Sequence, residues 1–233
     1  MKYNNIINAT FVDRPNRFIA NVMIDGTLQK SHVKNTGRCK ELLIEGAEVY
    51  LEDFDGRMGK RKLRYSLIGV KKGDILINMD SQVPNKVVKE ALENRTLILP
   101  GMGDLSLIKS EKTHGDSRFD FYLEDVSGNK AFVEVKGVTL EKDGVALFPD
   151  APTIRGIKHI NGLIEWAQNG QKSYVILVIQ LKGIKEFRPN NETHKAFGEA
   201  LKLAIDEGVI VKAFDSIVSR DSIVLDDEIQ VII

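Results

Sequence analysis

Along the first 80 positions, apolar residues come in short bursts separated by turn-forming residues. Phe18–Ile24, Ala47–Leu51, Tyr65–Val70 and Ile75–Ile77 are each one strand long. Asp25-Gly26, Thr36-Gly37, Gly46, Asp55-Gly56 and Lys72-Gly73 punctuate them. Turn signals at that spacing, with only Arg38–Ile44 as a short helical candidate, predict a small all-β unit. A five-stranded OB-type barrel is one solution of this size, and such barrels commonly bind oligonucleotides on a strand face. Near Ser81 the rhythm changes. Pro84 suits a first helical turn, and Val87, Val88, Ala91 and Leu92 recur at helical spacing. After Pro100-Gly101-Met102-Gly103 come strand candidates at Leu105–Ser110, Arg118–Glu124 and Lys130–Val138. A helix follows from about Arg155 to Gln168, with Gly170 as its stop, then a fully apolar strand at Tyr174–Ile179 of the kind buried on both faces. A helix over Glu192–Glu207 and strands near Val209–Phe214 and Ile229–Ile233 complete the order α-β-β-β-α-β-α-β. The predicted organisation is a β-barrel over 1–80 and a mixed α/β domain over 81–233.

Composition narrows the function classes. A chain of 233 residues, 42% hydrophobic and 28% charged, has material for a real core. No apolar run approaches the ~18 residues of a membrane span, and the opening Met1–Ile7 is too polar for a secretory signal, so a cytoplasmic protein with no membrane partner is expected. The single cysteine, Cys39, excludes an internal disulfide and a Cys-based zinc cage, and with no histidine partner in view it reads as inert. Formal net charge is zero but unevenly spread: residues 1–80 carry 14 Lys+Arg against 10 Asp+Glu, a net +4 that the remainder balances. The run Arg57, Lys60, Arg61, Lys62, Arg64 is dense enough to neutralise several phosphates, and is equally the composition of a solvated hairpin.

Chemistry concentrates on two neighbouring strands. Alternation in Arg118–Glu124 puts Phe119, Phe121 and Leu123 on one face and Arg118, Asp120 and Tyr122 on the other. In Phe132–Gly137, Glu134 and Lys136 share the face opposite Val133 and Val135. A three-residue turn, Ser127-Gly128-Asn129, pairs Asp120 with Lys136 and Tyr122 with Glu134, so that both carboxylates and the lysine leave one side of the sheet. A two-residue turn splits them. Hard carboxylate oxygens hold Mg²⁺ or Mn²⁺, which polarises a phosphoryl group and lowers the pKa of a bound water. A nearby lysine orients that water or stabilises developing charge. On pattern alone the same residues also describe an exposed strand face with a cross-strand ion pair.

The wider string of motifs is more specific. Asp120, thirteen residues, then Glu134-x-Lys136 in a β-hairpin is similar to the PD-(D/E)xK nuclease pattern. Asn35-Thr36-Gly37, Asp120-Phe121, Val133–Leu140, Phe148–Ala151, Thr153-x-Arg155-Gly156 and Lys158-His159 together resemble the sugar fermentation stimulation protein family, from Arg17-Phe18 to the C-terminal strand. Family members often carry Cys-Pro before Asn-Thr-Gly, where this chain has Val33-Lys34. The resemblance implies an OB-like N-terminal domain, a nuclease-like C-terminal domain and DNA binding. Asp120, Glu134 and Lys136 are then the catalytic set, with Asp120 and Glu134 as ligands of Mg²⁺ or Mn²⁺.

Other candidates surround that set. Glu90, on the first helix of the α/β half, is a candidate third metal ligand, as a helix carboxylate is in some relatives of the nuclease fold. Arg155, Lys158 and His159 open a helix and form a candidate phosphate seat with it. Arg17, Asn35, Lys60, Arg61, Lys62 and Arg64 are the further candidate nucleic-acid contacts, with His32 near Asn35 read as equally structural. Asp150 is expected to cap the following helix, and His114 to lie in a surface loop. Two functions compete: a metal-dependent deoxyribonuclease, and a non-catalytic DNA-binding regulator linked to sugar metabolism. RNA is a third class of partner, and a homodimer is compatible with everything in the chain. No helix-turn-helix with a basic recognition helix is visible, so sequence-specific readout has no evident device.

Overall fold

The structure, a computed structural model, describes residues 1–35 and 37–233; the Thr36 of the Asn-Thr-Gly motif lies outside the described residues. Six strands form the N-terminal sheet: β1 (Ile6–Asn16), β2 (Ile19–Ile24), β3 (Thr27–Val33), β4 (Glu48–Asp53), β5 (Tyr65–Lys72) and β6 (Ile75–Asn78). Their order is β3-β2-β1-β4-β5-β6, and a parallel β3–β5 pairing closes β1 to β5 into a barrel with β6 as a hairpin extension. The barrel is OB-like, as expected. Its first strand and β3 carry no clear apolar alternation, because bulges interrupt β1 after Phe11 and after Asp13, and β3 buries only Ser31 and Val33. Arg38–Ile44 is not a helix but a single turn in which Leu42 and Leu43 N–H both donate to the Cys39 carbonyl.

The second half is a mixed α/β domain. Helix α1 (Val83–Glu93) is followed by β7 (Leu105–His114), β8 (Ser117–Asp125), β9 (Lys130–Val138), β10 (Leu140–Lys142) and β11 (Val145–Phe148). Then come α2 (Ile154–Gln168), β12 (Lys172–Ile179), β13 (Glu186–Pro189), α3 (Asn191–Asp206), β14 (Ile210–Val218) and β15 (Ile223–Val231). The nine strands run in the order β10-β11-β13-β15-β14-β12-β9-β8-β7. β12 pairs in parallel with both β9 and β14, which is why its sequence is continuously apolar. Tyr174, Ile176 and Val178 pack toward α1 with Phe121, Val133 and Val135, while Val175 and Leu177 join Ile160, Leu163 and Phe197 on the α2 and α3 side. The last strand begins at Ile223 rather than Ile229; the exposed run Asp226-Asp227-Glu228 conceals it in the sequence.

Between the halves lies a buried polar network. Gln180 Nε2 donates to Asn78 O, Asn78 Oδ1 and Asp80 O at 3.0–3.2 Å. Asn78 Nδ2 donates to the Tyr3 hydroxyl at 2.9 Å, and Lys34 Nζ meets the fully buried Asp80 carboxylate at 2.8 Å. Each buried polar atom in this network has a partner, which keeps the cost of its burial small. Lys34 thereby ties the barrel loop to the start of α1. Among the described residues no helix is long and apolar enough to cross a membrane.

Candidate metal centre and its surroundings

The hairpin β8–β9 decides where the chemistry sits. Its loop has three residues, but they are Val126-Ser127-Gly128: Asp125 N–H donates to Asn129 O, and Gly128, at φ +84°, donates back to Asp125 O. Gly128 supplies the left-handed residue that such loops require. The turn is held by Asp125, whose carboxylate accepts from Ser127 N, Asn129 N, Asn129 Nδ2 and Gly103 N. With the loop one residue earlier than the sequence suggests, the register moves by two, so Tyr122 lies opposite Phe132 and not Glu134. A shift of two preserves the face of each residue, and Asp120 still meets the Glu134–Lys136 segment.

The alternation expected for β8 fails at Asp120. The β8–β9 ladder ends at Phe121↔Val133, and β7 has Glu111 at φ +55° between the pairs Ser110↔Phe121 and Lys112↔Phe119. Phe119 consequently packs with Phe132 and His159 under α2 and not with Phe121 and Leu123. Where the ladder opens, the Asp120 side chain takes its place. Oδ2 accepts the Val135 N–H at 2.8 Å, and Oδ1 accepts Asn85 Nδ2, from the first turn of α1, at 2.7 Å.

Glu134 is only 2% exposed. Its Oε1 accepts both the Lys136 ammonium and His159 Nδ1, the latter at 2.5 Å. Its Oε2 is buried without any hydrogen-bond partner. Burial acts on both carboxyls, with opposite results. Asp120 is held above its ordinary range, first by burial and then by the charge of Glu134, against the pull of the Val135 N–H, Asn85 and Lys136. For Glu134 burial is again the largest influence and raises it, but His159 and Lys136 together bring it below the ordinary range. Two close carboxylates with displaced acidities and a bare buried oxygen form a donor set that suits a hard divalent cation.

The backbone after Lys136 is equally constrained. A Cβ at Gly137 would stand 2.5 Å from Gln180 Oε1 and 2.7 Å from Pro84 Cγ, so glycine lets β9 lie against the start of α1 and the interdomain network. Beside Gly137 is a cleft of about 90 Å³ lined by Asn35, Ser81, Asp150 and Gln180, room for a few waters and not for a nucleotide.

The other sequence candidates separate. Glu90 points away, its half-exposed carboxylate 2.6 Å from the N-terminal ammonium of Met1; Asn85 is the α1 residue against Asp120. His159 is not on the surface. It is buried on the same stripe of α2 as Gly156, Ile160, Leu163 and Ile164. The sequence holds a signal for this, since a polar residue on the apolar face of a helix needs a buried partner. Arg155 and Lys158 are not buried, and Arg155 Nε donates to His159 Nε2 at 3.4 Å. Thr153, not Asp150, caps α2, its hydroxyl accepting from Gly156 N at 3.0 Å. Asp150 instead sits against Gly37, where a Cβ would collide with its carboxylate. His114 ends β7, exposed, with its ring edge-on to Trp166. Cys39 is buried, and burial pushes its thiol up to about 12, which keeps it protonated.

The basic run is largely consumed within the barrel. Arg64 grips Asp53 with two bonds of 2.7 Å and lies 3.1 Å from Asp55, and Arg57 reaches Glu52 at 3.5 Å. Arg61 stacks 3.6 Å over Phe54 and donates to the Ser66 hydroxyl. Lys60 and Lys62 are exposed and within ion-pair distance of no described carboxylate. Lys62 and Arg61 join Lys30, His32, Asn21 and Asn16 along one groove on the β2–β3 face. Asn16 also borders a second groove with Arg14, Arg17, Arg38, Lys40 and Ala151. Arg14 donates to the carbonyls of Arg17, Asn35, Gly37 and Arg38, which fixes the start of the connection between β3 and β4. The second groove borders Gly37 and Ala151, next in the chain to the Asp150 that lines the cleft by Gly137. Elsewhere among the described residues, Asp215, Asp226 and Asp227 form a cluster of three carboxylates compact enough for an ion, and Lys182 Nζ already lies 2.5–2.9 Å from all three.

With this geometry in place, two family models match consecutive parts of the chain: the SfsA N-terminal OB domain over residues 12–79 and the sugar fermentation stimulation protein RE domain over residues 82–222. The chain belongs to the sugar fermentation stimulation protein family. A homologue of that description from Clostridium beijerinckii is 53% identical over 233 residues and covers 100% of both chains. One from Desulfitobacterium hafniense (strain DSM 10664 / DCB-2) is 53% identical over 231 residues, covering 99% of this chain and 98% of its own. The solved structure of Pyrococcus furiosus SfsA in complex with Ca²⁺ matches with a TM-score of 0.88 at 29% identity, over 100% of this chain and 98% of that one. The shared fold therefore extends across the whole family chain, barrel and α/β domain together.

Proposed function

We propose that this member of the sugar fermentation stimulation protein family is a divalent-metal-dependent nuclease that draws DNA across its barrel to the Asp120–Glu134–Lys136 cluster. The observation that carries the reading is Glu134 Oε2, a buried carboxylate oxygen with no partner, beside the second carboxylate of Asp120. Leaving such an oxygen unsatisfied costs about 1–3 kcal/mol or more, which a bound cation recovers. Asp120 and Glu134 are the ligands, and their hard oxygens favour Mg²⁺ or Mn²⁺. The complex of Pyrococcus furiosus SfsA with Ca²⁺, another oxygen-seeking divalent ion, supports the same donor chemistry.

A metal held there supplies Lewis-acid polarisation of a phosphoryl oxygen and an acidified water. The chain's own residues do the rest. Asn85 and the Val135 N–H fix both Asp120 oxygens, so this ligand is oriented before any ion arrives. Lys136 brings a cation to the carboxylates, from which its ammonium can turn to a phosphate oxygen or to the attacking water. Arg155 and Lys158, at the start of α2, and the cations Arg17, Lys30, Arg38, Lys40 and Lys62 supply the phosphate-binding track.

One observation favours the alternative, a binding protein without catalysis: Lys136 already pairs with Glu134 and serves as its internal counter-ion. End-labelled single-stranded, duplex and branched DNA, and RNA, incubated with purified protein and Mg²⁺ or Mn²⁺ separate the two readings. Metal-dependent cleavage that Glu134→Gln abolishes, and that Lys136→Ala slows by about 10²–10³-fold, is the expected result. Binding without cleavage of any of these substrates, with metal present, establishes the alternative.

A further inference from the structure

We infer that His159 is a positioning residue for the metal centre, holding Glu134 by Oε1 so that Oε2 faces the cation. The inference rests on the metal reading above and concerns a buried residue of α2.

Three features of the geometry lead to it. First, His159 reaches Glu134 from beneath, out of α2, and is itself buried. Its Nδ1 is 2.5 Å from Oε1, while Arg155 Nε donates to Nε2 on the other side of the ring. A ring that accepts at Nε2 carries its proton at Nδ1, so Arg155 selects the tautomer that donates to Glu134. Second, the two donors on Glu134 both use Oε1 and leave Oε2 bare in a buried position. A bond serving only to bury the carboxylate would be distributed over both oxygens; this one sorts them. Third, His159 makes the Lys136 contact dispensable for holding Glu134. When Lys136 turns to a phosphate, the carboxylate stays in place on the imidazole. Phe119 packs edge-on against the imidazole, with ring centroids 6.1 Å apart.

The partner that orients a metal ligand commonly accounts for 10–100-fold in metal affinity. The test is Mn²⁺ binding to the full-length protein, followed by the electron paramagnetic resonance of free Mn²⁺, with no substrate present. His159→Ala should weaken binding by about 10–100-fold. His159→Asn, whose Nδ2 can take the place of the imidazole Nδ1, should restore most of it. Lys136→Ala should leave Mn²⁺ affinity near that of the wild type, because His159 still holds the ligand. Melting curves of each variant report folding; if His159→Ala fails to fold, the Asn variant and Lys136→Ala decide. Wild-type affinity in a folded His159→Ala overturns the positioning role and leaves the metal centre standing. Equal losses in the Ala and Asn variants also overturn it, since the shared bond would not be what matters. A wild-type protein that takes up no Mn²⁺, or that takes it up undiminished in Glu134→Gln, overturns the metal centre and the role of His159 with it.

Discussion

At the scale of single residues, the carboxylate pair makes opposite demands on pH. Glu134, held below its ordinary range despite burial, contributes stability that is present above its unfolded pKa and lost as pH falls through the folded value. Asp120, held above its range by burial and then by Glu134, contributes stability present below its unfolded pKa and lost as pH rises through the folded one. Burial and the nearby Glu134 charge therefore oppose ionisation of Asp120 in the metal-free protein. Asp120→Asn should raise the melting temperature of the metal-free protein at pH 7 and abolish its stabilisation by Mn²⁺; a lower melting temperature contradicts this placement of the charge. Gly137→Ala should destabilise by about 1–3 kcal/mol in urea titrations, since a Cβ there overpacks against Gln180 and Pro84. Of these residues, Asp120, Glu134 and Lys136 stand out in the sequence as candidates through the wider motif string, since their spacing alone also describes an ordinary strand face. Asn85 is not, because an asparagine in a first helical turn has no distinguishing pattern. His159 is visible in the sequence but easily misplaced: its position next to Lys158 suggests a surface phosphate site, although it falls on the apolar stripe of its own helix.

At the scale of elements, the register of one hairpin shows how a local error can leave the site intact. The sequence predicts a three-residue loop, but Asp125 with its four accepted hydrogen bonds starts it one residue earlier. Parity survives, so the face survives. What alternation cannot show is the opening of the ladder at Asp120, where a side chain replaces a backbone acceptor. Gly128→Ala tests the loop directly. There is open space around Gly128, so the penalty is the left-handed conformation itself, about 1–2 kcal/mol of stability, with metal affinity unchanged. A neutral substitution would mean that the loop does not require this backbone. The short strands β10, β11 and β13 escape the sequence pattern because three or four residues carry too little alternation to register.

At the scale of the whole molecule, a buried cluster runs from barrel residues such as Ala9, Val22 and Leu67 through Val138 to Phe187 and Phe197 in the α/β half. We propose that the division near residue 80 is one of topology, and that the two parts unfold as a single unit. Denaturation followed by Trp166 fluorescence, which reports the α/β half, should coincide with the loss of far-UV circular dichroism of the whole chain in one transition; two separated transitions contradict this. The basic surface is legible as composition but not as arrangement, because which cations are free depends on tertiary pairing. Replacing Arg17, Lys30, Arg38, Lys40 and Lys62 with glutamine should flatten the salt dependence of DNA binding, by roughly 0.9 in the slope of log K against log salt for each phosphate no longer neutralised. Arg64→Gln should change that slope little, since Asp53 already holds its guanidinium.

The central claim is that Asp120 and Glu134 together hold one divalent cation. Crystals soaked in Mn²⁺ and measured at the manganese absorption edge test it most directly. The account predicts an anomalous peak bonded to Glu134 Oε2 and an Asp120 oxygen. A peak confined to Asp215, Asp226 and Asp227, or none within bonding distance of Glu134, would contradict it.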